Sequence, residues 1–540
     1  MSQNSRHSLR HLENLPQPAY DNLLQHLSSD PIAAMPEADR LRVWTGLVEF
    51  VTKHKKFPDA KWAMKPDEVE KLASIANRLA PDAPFYRHQR LFTDRDVDLF
   101  DDIEDYDGQQ RKLDEARRSA IQEVARAGGV DAVIAFGKAV QSPWRVGIAF
   151  GAVAAETADA SIVPALLECE EKPVAQLAGG FVWGRYRTRG WVWVDRIDTS
   201  QWTSAQIGAL LSLLPFTHDT WLRSERLLGQ DESAYWSKTG ANAFETREHL
   251  EHAIDQLIEY GRPKAAIRCV YKMLHDKRPI DTQRAVRALL AAVRSSESAH
   301  VLDAYETVKV IEALQNEPST NRDALLRVEW AYLPLLNEHN EGSPIFLERK
   351  LSQEARFFSE LIRLVFRSRT EESEEARSEE RKQAATNAYR LLTNWATPPG
   401  LLQDKTYDGH VLETWLETVK KECAETGHLE VALTMVGHVL VHVPADPDGL
   451  WINRSAAAAL NAKDGENIRI GFRTQLYNSR GAHFVDPTGK PEKELAGKYR
   501  AQAESVDNAG YPRLAATLRE MAEEYEREAE TLSSREPFEE

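Results

Sequence analysis

The sequence is short of cysteine, of long apolar runs and of strand-like alternation. Its three cysteines, Cys169, Cys269 and Cys423, lie a hundred or more positions apart. They supply neither a disulfide framework nor a thiolate zinc site, and a reducing compartment is expected. The longest uncharged apolar stretch, Val146 to Ala155, ends at Glu156, well short of the ~20 residues a membrane-spanning helix needs. Met1 to Pro16 is polar and has no apolar centre, so no targeting signal is expected. These absences predict a cytoplasmic protein without a membrane span. Positive charge is also in deficit: 68 Lys and Arg stand against 84 Asp and Glu, a net charge of −16. That balance disfavours nucleic acid as a bulk partner and permits basic ones.

Catalytic signatures are missing as well. A phosphate-binding loop needs a glycine five residues before its Gly-Lys and a hydroxyl after it, but position 132 is Ala and Gly137-Lys138 is followed by Ala139. Gly-x-Ser-x-Gly, His-Glu-x-x-His and Cys-x-x-Cys do not occur. His438 and His442 stand one helical turn apart and would chelate a metal if Asp446 or His483 joined them, yet Val436, Val439, Leu440, Val441 and Val443 make their helix a core element. Asp94, Asp96 and Asp98 imitate the opening of a calcium loop, but Leu99 takes the place of its glycine and Asp105 that of its closing Glu. No metal, cofactor or catalytic residue is assigned, and enzymatic function is not expected.

What the 540 residues do contain is helical periodicity. Leu514, Leu518, Met521, Tyr525 and Ala529 form one apolar stripe, and Leu495, Tyr499, Gln502 or Ala503, and Val506 form another. Between them Gly510 and Pro512 supply a helix stop and a helix start, which makes an αα-hairpin. Leu250 to Ile258 and Ala266 to Leu274 flank Gly261 and Pro263 in the same way, and Gly427 precedes Ala432, Met435, Val436, Val439 and Leu440. The pattern predicts an all-α fold, an α-solenoid of degenerate tetratricopeptide- or HEAT-like antiparallel helix pairs. Charge runs at 94–107 and 369–382 suggest three parts: an N-terminal helical region at 1–125, a central solenoid at 126–368, and a C-terminal helical region at 369–540 that ends in a capping hairpin.

Two stretches carry candidate binding residues. Phe181 to Val194 reads as a β-hairpin or as a helix capped by Gly190, and the helical period favours the helix. Here Arg185, Arg187 and Arg189 alternate with Trp183, Tyr186 and Trp191, a pattern suited either to core packing or to stacking on a nucleotide or single-stranded nucleic acid. Six of the 13 tryptophans fall between residues 183 and 236, which weights the core reading. The second stretch, 466–490, is locally basic, with Arg469, Arg473, Arg480 and His483 as candidates for an acidic partner or an anion, or for pairing with nearby carboxylates.

Leu326 to Leu336, Phe357-Phe358 with Leu361 to Phe366, and the closing segment Gly471 to Ala529 resemble the C-terminal helical-repeat regions of large, mostly uncharacterised bacterial proteins, some of them associated with defence or mobile-island loci. The resemblance implies a helical-repeat fold and brings no catalytic residue. With it, the expected function is a non-enzymatic cytoplasmic interaction scaffold or sensor that binds a protein partner in a bacterial defence-type system. The alternatives are nucleic-acid or nucleotide binding through the arginine–aromatic segments, and an enzyme with a dispersed site.

Overall fold

Apolar side chains that recur every three or four residues leave one uncovered stripe per segment, and this chain covers them helix against helix. The computed structural model describes Leu12 and residues 15–94, 106–298, 303–368, 378–402, 404–481 and 486–534. Among these residues there is no strand, only an isolated antiparallel bridge between Leu401 and Tyr407, and the fold is all-α. The acidic segment after Asp94 and most of the charge run at 369–382 lie outside the described residues. The chain forms two compact units, Met1–Leu250 and Glu251–Glu540.

In the first unit, α1 (Gln17–Leu27), α2 (Glu37–Lys56) and α3 (Pro66–Leu79) enclose a core of Leu27, Trp44, Leu47, Phe50, Leu72 and Leu79. The long α4 (Tyr106–Ala139) follows, broken at Gly128–Gly129, where Gly129 has φ 68°. It packs on α5 (Pro143–Val153) and α6 (Lys172–Arg189). The segment that read as either hairpin or helix is therefore helical up to Arg189, and Gly190 ends it at φ 60°. Next come α7 (Ser204–Ser212), started by a Thr203–Gln206 capping box, and α8 (His218–Leu228). Trp221 and Trp236 are buried here with Phe216 and Tyr235, their rings 5.0–6.1 Å apart.

The contact between α5 and α6 is the closest in this unit, and four glycines make it so. A β-carbon on Gly147 would sit 2.0 Å from the Leu177 carbonyl oxygen, and one on Gly151 2.3 Å from that of Phe181. From the other side, Gly180 would meet the Trp144 oxygen at 2.1 Å and Gly184 the Ile148 oxygen at 2.3 Å. Backbone lies on backbone along two turns, which leaves no room for any side chain.

The second unit runs through α9 (Leu250–Glu259), α10 (Pro263–His275), α11 (Thr282–Ala292), α12 (Ala304–Asn316), α13 (Arg322–Tyr332), α14 (Ile345–Gln353) and α15 (Ala355–Val365). It continues with α16 (Glu379–Asn394), α17 (Gly409–Glu425), α18 (Leu429–Leu440), α19 (Arg454–Asn461), α20 (Glu466–Asn478), α21 (Lys490–Asn508) and α22 (Pro512–Ser534). Here α10 packs on α11 and α12, α11 on α13, α15 on α16 and α17, α16 on α18, and α17 on α18 and α19. Contact with the next helix and the next but one is the packing of an α-solenoid built from degenerate antiparallel pairs. Gly437 of α18 and Gly471 of α20 repeat the close approach, for β-carbons there would meet the Ile468 and Thr434 oxygens at 2.1 and 1.9 Å.

Three turns share one closure. The N–H of Arg262 donates to the carbonyl of Leu257 at 2.6 Å, that of His428 to Cys423 at 2.8 Å and that of Tyr511 to Val506 at 2.9 Å. Each spans a left-handed glycine, Gly261, Gly427 or Gly510, as a Schellman-type helix end requires. The C-terminal pair then docks on α19 and α20. Leu514, Leu518, Met521, Tyr525 and Ala529 are all buried, and on α21 the buried apolar positions are Ala496, Tyr499, Ala503 and Val506. Tyr525 stacks between Tyr499 and Tyr477 at 5.7 and 5.9 Å.

Glu524 belongs by pattern to the outer face of α22, but it pairs with Arg473 of α20. Glu523, which is exposed, is the solvent-facing neighbour. Leu518→Ala should cost about 2–5 kcal/mol through lost burial and a residual cavity, and Glu523→Ala no more than about 0.5 kcal/mol. Urea unfolding of the two variants distinguishes them, and equal midpoints would mean that α22 is not docked.

Candidate functional site

The candidate arginines of the first unit separate into three environments. Arg185 is fully buried. Its Nε donates to Asp159 Oδ1 at 2.9 Å, its Nη1 to the carbonyls of Gly151 and Ala154 at 3.0 and 2.8 Å, and its Nη2 to that of Ala155 at 2.7 Å and to Asp159 Oδ1 at 2.8 Å. All five donors are engaged. The side chain thus satisfies the last carbonyls of α5, which have no partner within their own helix. Trp193 Nε1 donates to the other oxygen of Asp159 at 2.8 Å. Arg185 is therefore a structural clamp whose donors are all engaged within the protein.

Arg189 reaches Glu156 at 2.6 Å. The stacking surface expected around Trp191 is not made by Arg185, Arg187 or Arg189. Arg223 of α8 lies 4.0 Å over that ring and holds Asp195 through two hydrogen bonds at 2.7 and 2.9 Å. Hydrogen bonds from Arg223, with a lesser one from Arg226, hold the Asp195 carboxyl below its usual range. Arg187 points elsewhere. It is exposed and lines a cavity of about 250 Å³ between α4, α5 and α6.

That cavity gathers four arginines from three helices: Arg117 and Arg118 of α4, Arg145 of α5 and Arg187 of α6. Ile148, Ala149, Ala152 and Gly184 supply small or apolar surface, and among the described residues Asp114 is the one carboxylate of the lining. Arg117 is held, with Nε donating to the Leu91 carbonyl at 2.9 Å and Nη1 3.7 Å from Asp114. Arg145 donates to the Asp94 carbonyl at 3.3 Å. Arg118 gives only its Nε, to the Asp114 carbonyl one turn back at 3.2 Å. Sequence reading found one of these four arginines. Arg117, Arg118 and Arg145 sit on helical segments with no motif of their own, and only the packing of α4 on α5 and α6 joins them to Arg187.

The basic stretch of the second unit resolves into internal pairing. Arg469 Nη1 donates to the Leu460 and Ala462 carbonyls at 2.7 and 3.0 Å and closes the end of α19. Arg473 pairs with Glu520 at 3.3 Å and with Glu524. Arg480 pairs with the fully buried Glu492 and lies 5.8 Å over Tyr525. Arg469 thus ties α20 to α19, while Arg473 and Arg480 fasten α20 to the C-terminal hairpin. His483 lies outside the described residues.

The remaining histidine pair gains no third ligand: among the described residues no group of three His, Cys, Asp or Glu side chains is placed to hold a metal. Burial lowers the pKa of both His438 and His442. No helix among the described residues is long and apolar enough to cross a membrane. Comparison with protein-family models, with curated proteins and with solved structures finds no match for the chain.

Arg185 and Arg187 make a direct stability contrast. Arg185→Ala takes away the donor that serves Asp159 and the Gly151, Ala154 and Ala155 carbonyls and should cost about 3–5 kcal/mol. Arg187→Ala, at an exposed position, should change stability by about 0.5 kcal/mol or less. Guanidinium unfolding midpoints measure both, and similar midpoints would contradict the clamp.

Proposed function

We propose that this chain is a non-enzymatic interaction scaffold or sensor that binds a protein partner through the helical repeats of its second unit. The observation that supports the reading is the packing of successive helices on their next and next-but-one neighbours, since such stacking adds one strip of surface per helix pair and builds an extended face. Exposed apolar groups lie along it: Ile470 and Tyr477, seven residues apart on one face of α20, keep 49% and 52% of their surface open. The arginines of the same region are occupied in holding the hairpin, so their role is to keep that surface rigid. The cytoplasmic setting belongs to this reading, as does the defence context carried by the resemblance.

Affinity purification of the tagged full chain from its native host, with chemical cross-linking and mass spectrometry, tests the proposal. The expected result is one recurrent protein cross-linked to several successive helices between α10 and α22. A chain recovered alone, or a partner cross-linked only to residues before 250, would overturn it.

A further inference from the structure

We propose that the end of α2 and the turn into α3, residues 53–65, form a tip that docks on the surface of an anionic lipid bilayer. Lys53, Lys55, Lys56, Lys61 and Lys65 fall within 13 residues that hold one carboxylate, Asp59, in a chain whose net charge is −16. Among them Phe57 and Trp62 keep 48% and 41% of their surface open. An exposed apolar patch rimmed by charge marks a surface that meets a partner.

The two rings are held in place from the interior. Phe50, in the core, packs on His54 at 4.1 Å, His54 on Trp62 at 5.2 Å, and Trp62 on Phe57 at 6.0 Å. The N–H of Met64 donates to His54 Nδ1 at 3.0 Å and ties the turn back to α2. The N–H groups of Ala60 and Ala63 donate to the Phe57 and Ala60 carbonyls at 3.2 and 2.8 Å, so the backbone of the tip is folded before it meets anything. A preformed tip loses little conformational freedom on docking. Around the rings Lys53, Lys55, Lys61 and Lys65 are exposed. Lys55 reaches Glu70 at 3.1 Å, but ion pairs at exposed positions are weak, and an ammonium exchanges a surface carboxylate for a lipid phosphate at small cost.

The ring geometry selects lipid over single-stranded nucleic acid. Lys53 Nζ lies 4.4 Å over the Trp62 ring and Lys56 Nζ 5.3 Å over that of Phe57, and the two rings cross at 65°. Successive bases need ring faces on which to stack, whereas these rings each carry a lysine on one face and stand across one another. At a bilayer interface the same arrangement is productive. An aromatic edge settles at headgroup level while the lysine beside it keeps its stem on apolar surface and its ammonium among the phosphates. The chain as a whole is acidic, so an anionic bilayer attracts it through this tip and thereby orients it. Docking of this kind needs no membrane-spanning helix. The tip belongs to the first unit, and its docking is independent of protein binding by the second.

Co-sedimentation of the full chain with lipid vesicles is the test. The chain should pellet with phosphatidylcholine vesicles that contain about one third phosphatidylserine and not with phosphatidylcholine alone, and binding should weaken as salt is raised. Lys53→Glu combined with Lys61→Glu should lower the affinity roughly tenfold or more, and Phe57→Ala should lower it about threefold or more at unchanged charge. Lys172→Glu combined with Lys238→Glu, at exposed positions of the same unit outside the tip, makes the same change in net charge and should leave affinity within about twofold. Thermal melts of these variants should match the parent, because each of the five side chains is exposed. Sedimentation with neither kind of vesicle, or equally with both, would overturn the proposal. So would equal weakening by the two lysine pairs, or tip-dependent binding of a single-stranded oligonucleotide without binding of vesicles.

Discussion

The first unit depends on two helix backbones lying in direct contact. Gly147 and Gly151 on α5 face Gly180 and Gly184 on α6, and at each a β-carbon would come within 2.0–2.3 Å of a carbonyl oxygen of the other helix. Glycine inside a helix costs about 1 kcal/mol relative to alanine. Four of them are tolerated because the approach gains dispersion along two turns and brings Cα–H groups against carbonyls. The same contact explains why Val146 to Ala155 is apolar without spanning anything: α5 packs on both α4 and α6. It also sets the ends of both helices, so that Arg185 can reach back to the carbonyls of Gly151, Ala154 and Ala155, and it places Arg187 beside the α4 arginines.

The second unit uses the same devices in another order. Gly437 and Gly471 bring α18 and α20 together, and left-handed glycines close three of its turns. Buried charge appears where helix ends meet. Glu329, fully buried, accepts from the backbone N–H groups of Phe346 and Leu347 at 3.1 and 2.8 Å and from Gln315 at 2.7 Å, so it anchors the start of α14. Burial still raises its carboxyl above the ordinary range. In Arg185, Arg469 and Glu329 alike, a charged side chain stands in for the hydrogen bonds that a helix cannot supply to its own terminus.

Much of this was legible from spacing. The stripe Leu514, Leu518, Met521, Tyr525 and Ala529 is buried as the helical period requires, and Gly261, Gly427 and Gly510 end helices where glycine should. The arginines were harder, because alternation in the sequence is not adjacency on a helix. From Arg185 to Arg187 the helix turns by about 200°, so one side chain enters the core and the other leaves it. That turn could have been read from the sequence once the helix was accepted, as could the paired four-residue glycine spacings at 147/151 and 180/184. The convergence of Arg117, Arg118 and Arg145 on Arg187 could not, since it arises only when three helices distant in sequence pack together. Pairing of Arg473 and Arg480 with α21 and α22 was likewise hidden, because a locally basic stretch does not reveal which carboxylates fold onto it.

The glycine contact is most directly tested by hydrogen–deuterium exchange of the full chain with and without Gly180→Ala. In the parent, the amides of α5 and α6 should be among the slowest to exchange in the first unit, because their opening requires loss of its closest helix contact. In the variant, a β-carbon directed at the Trp144 carbonyl forces the helices apart, and exchange should accelerate along both α5 and α6, including the residues capped by Arg185. Unchanged protection of both helices in the variant would contradict the account.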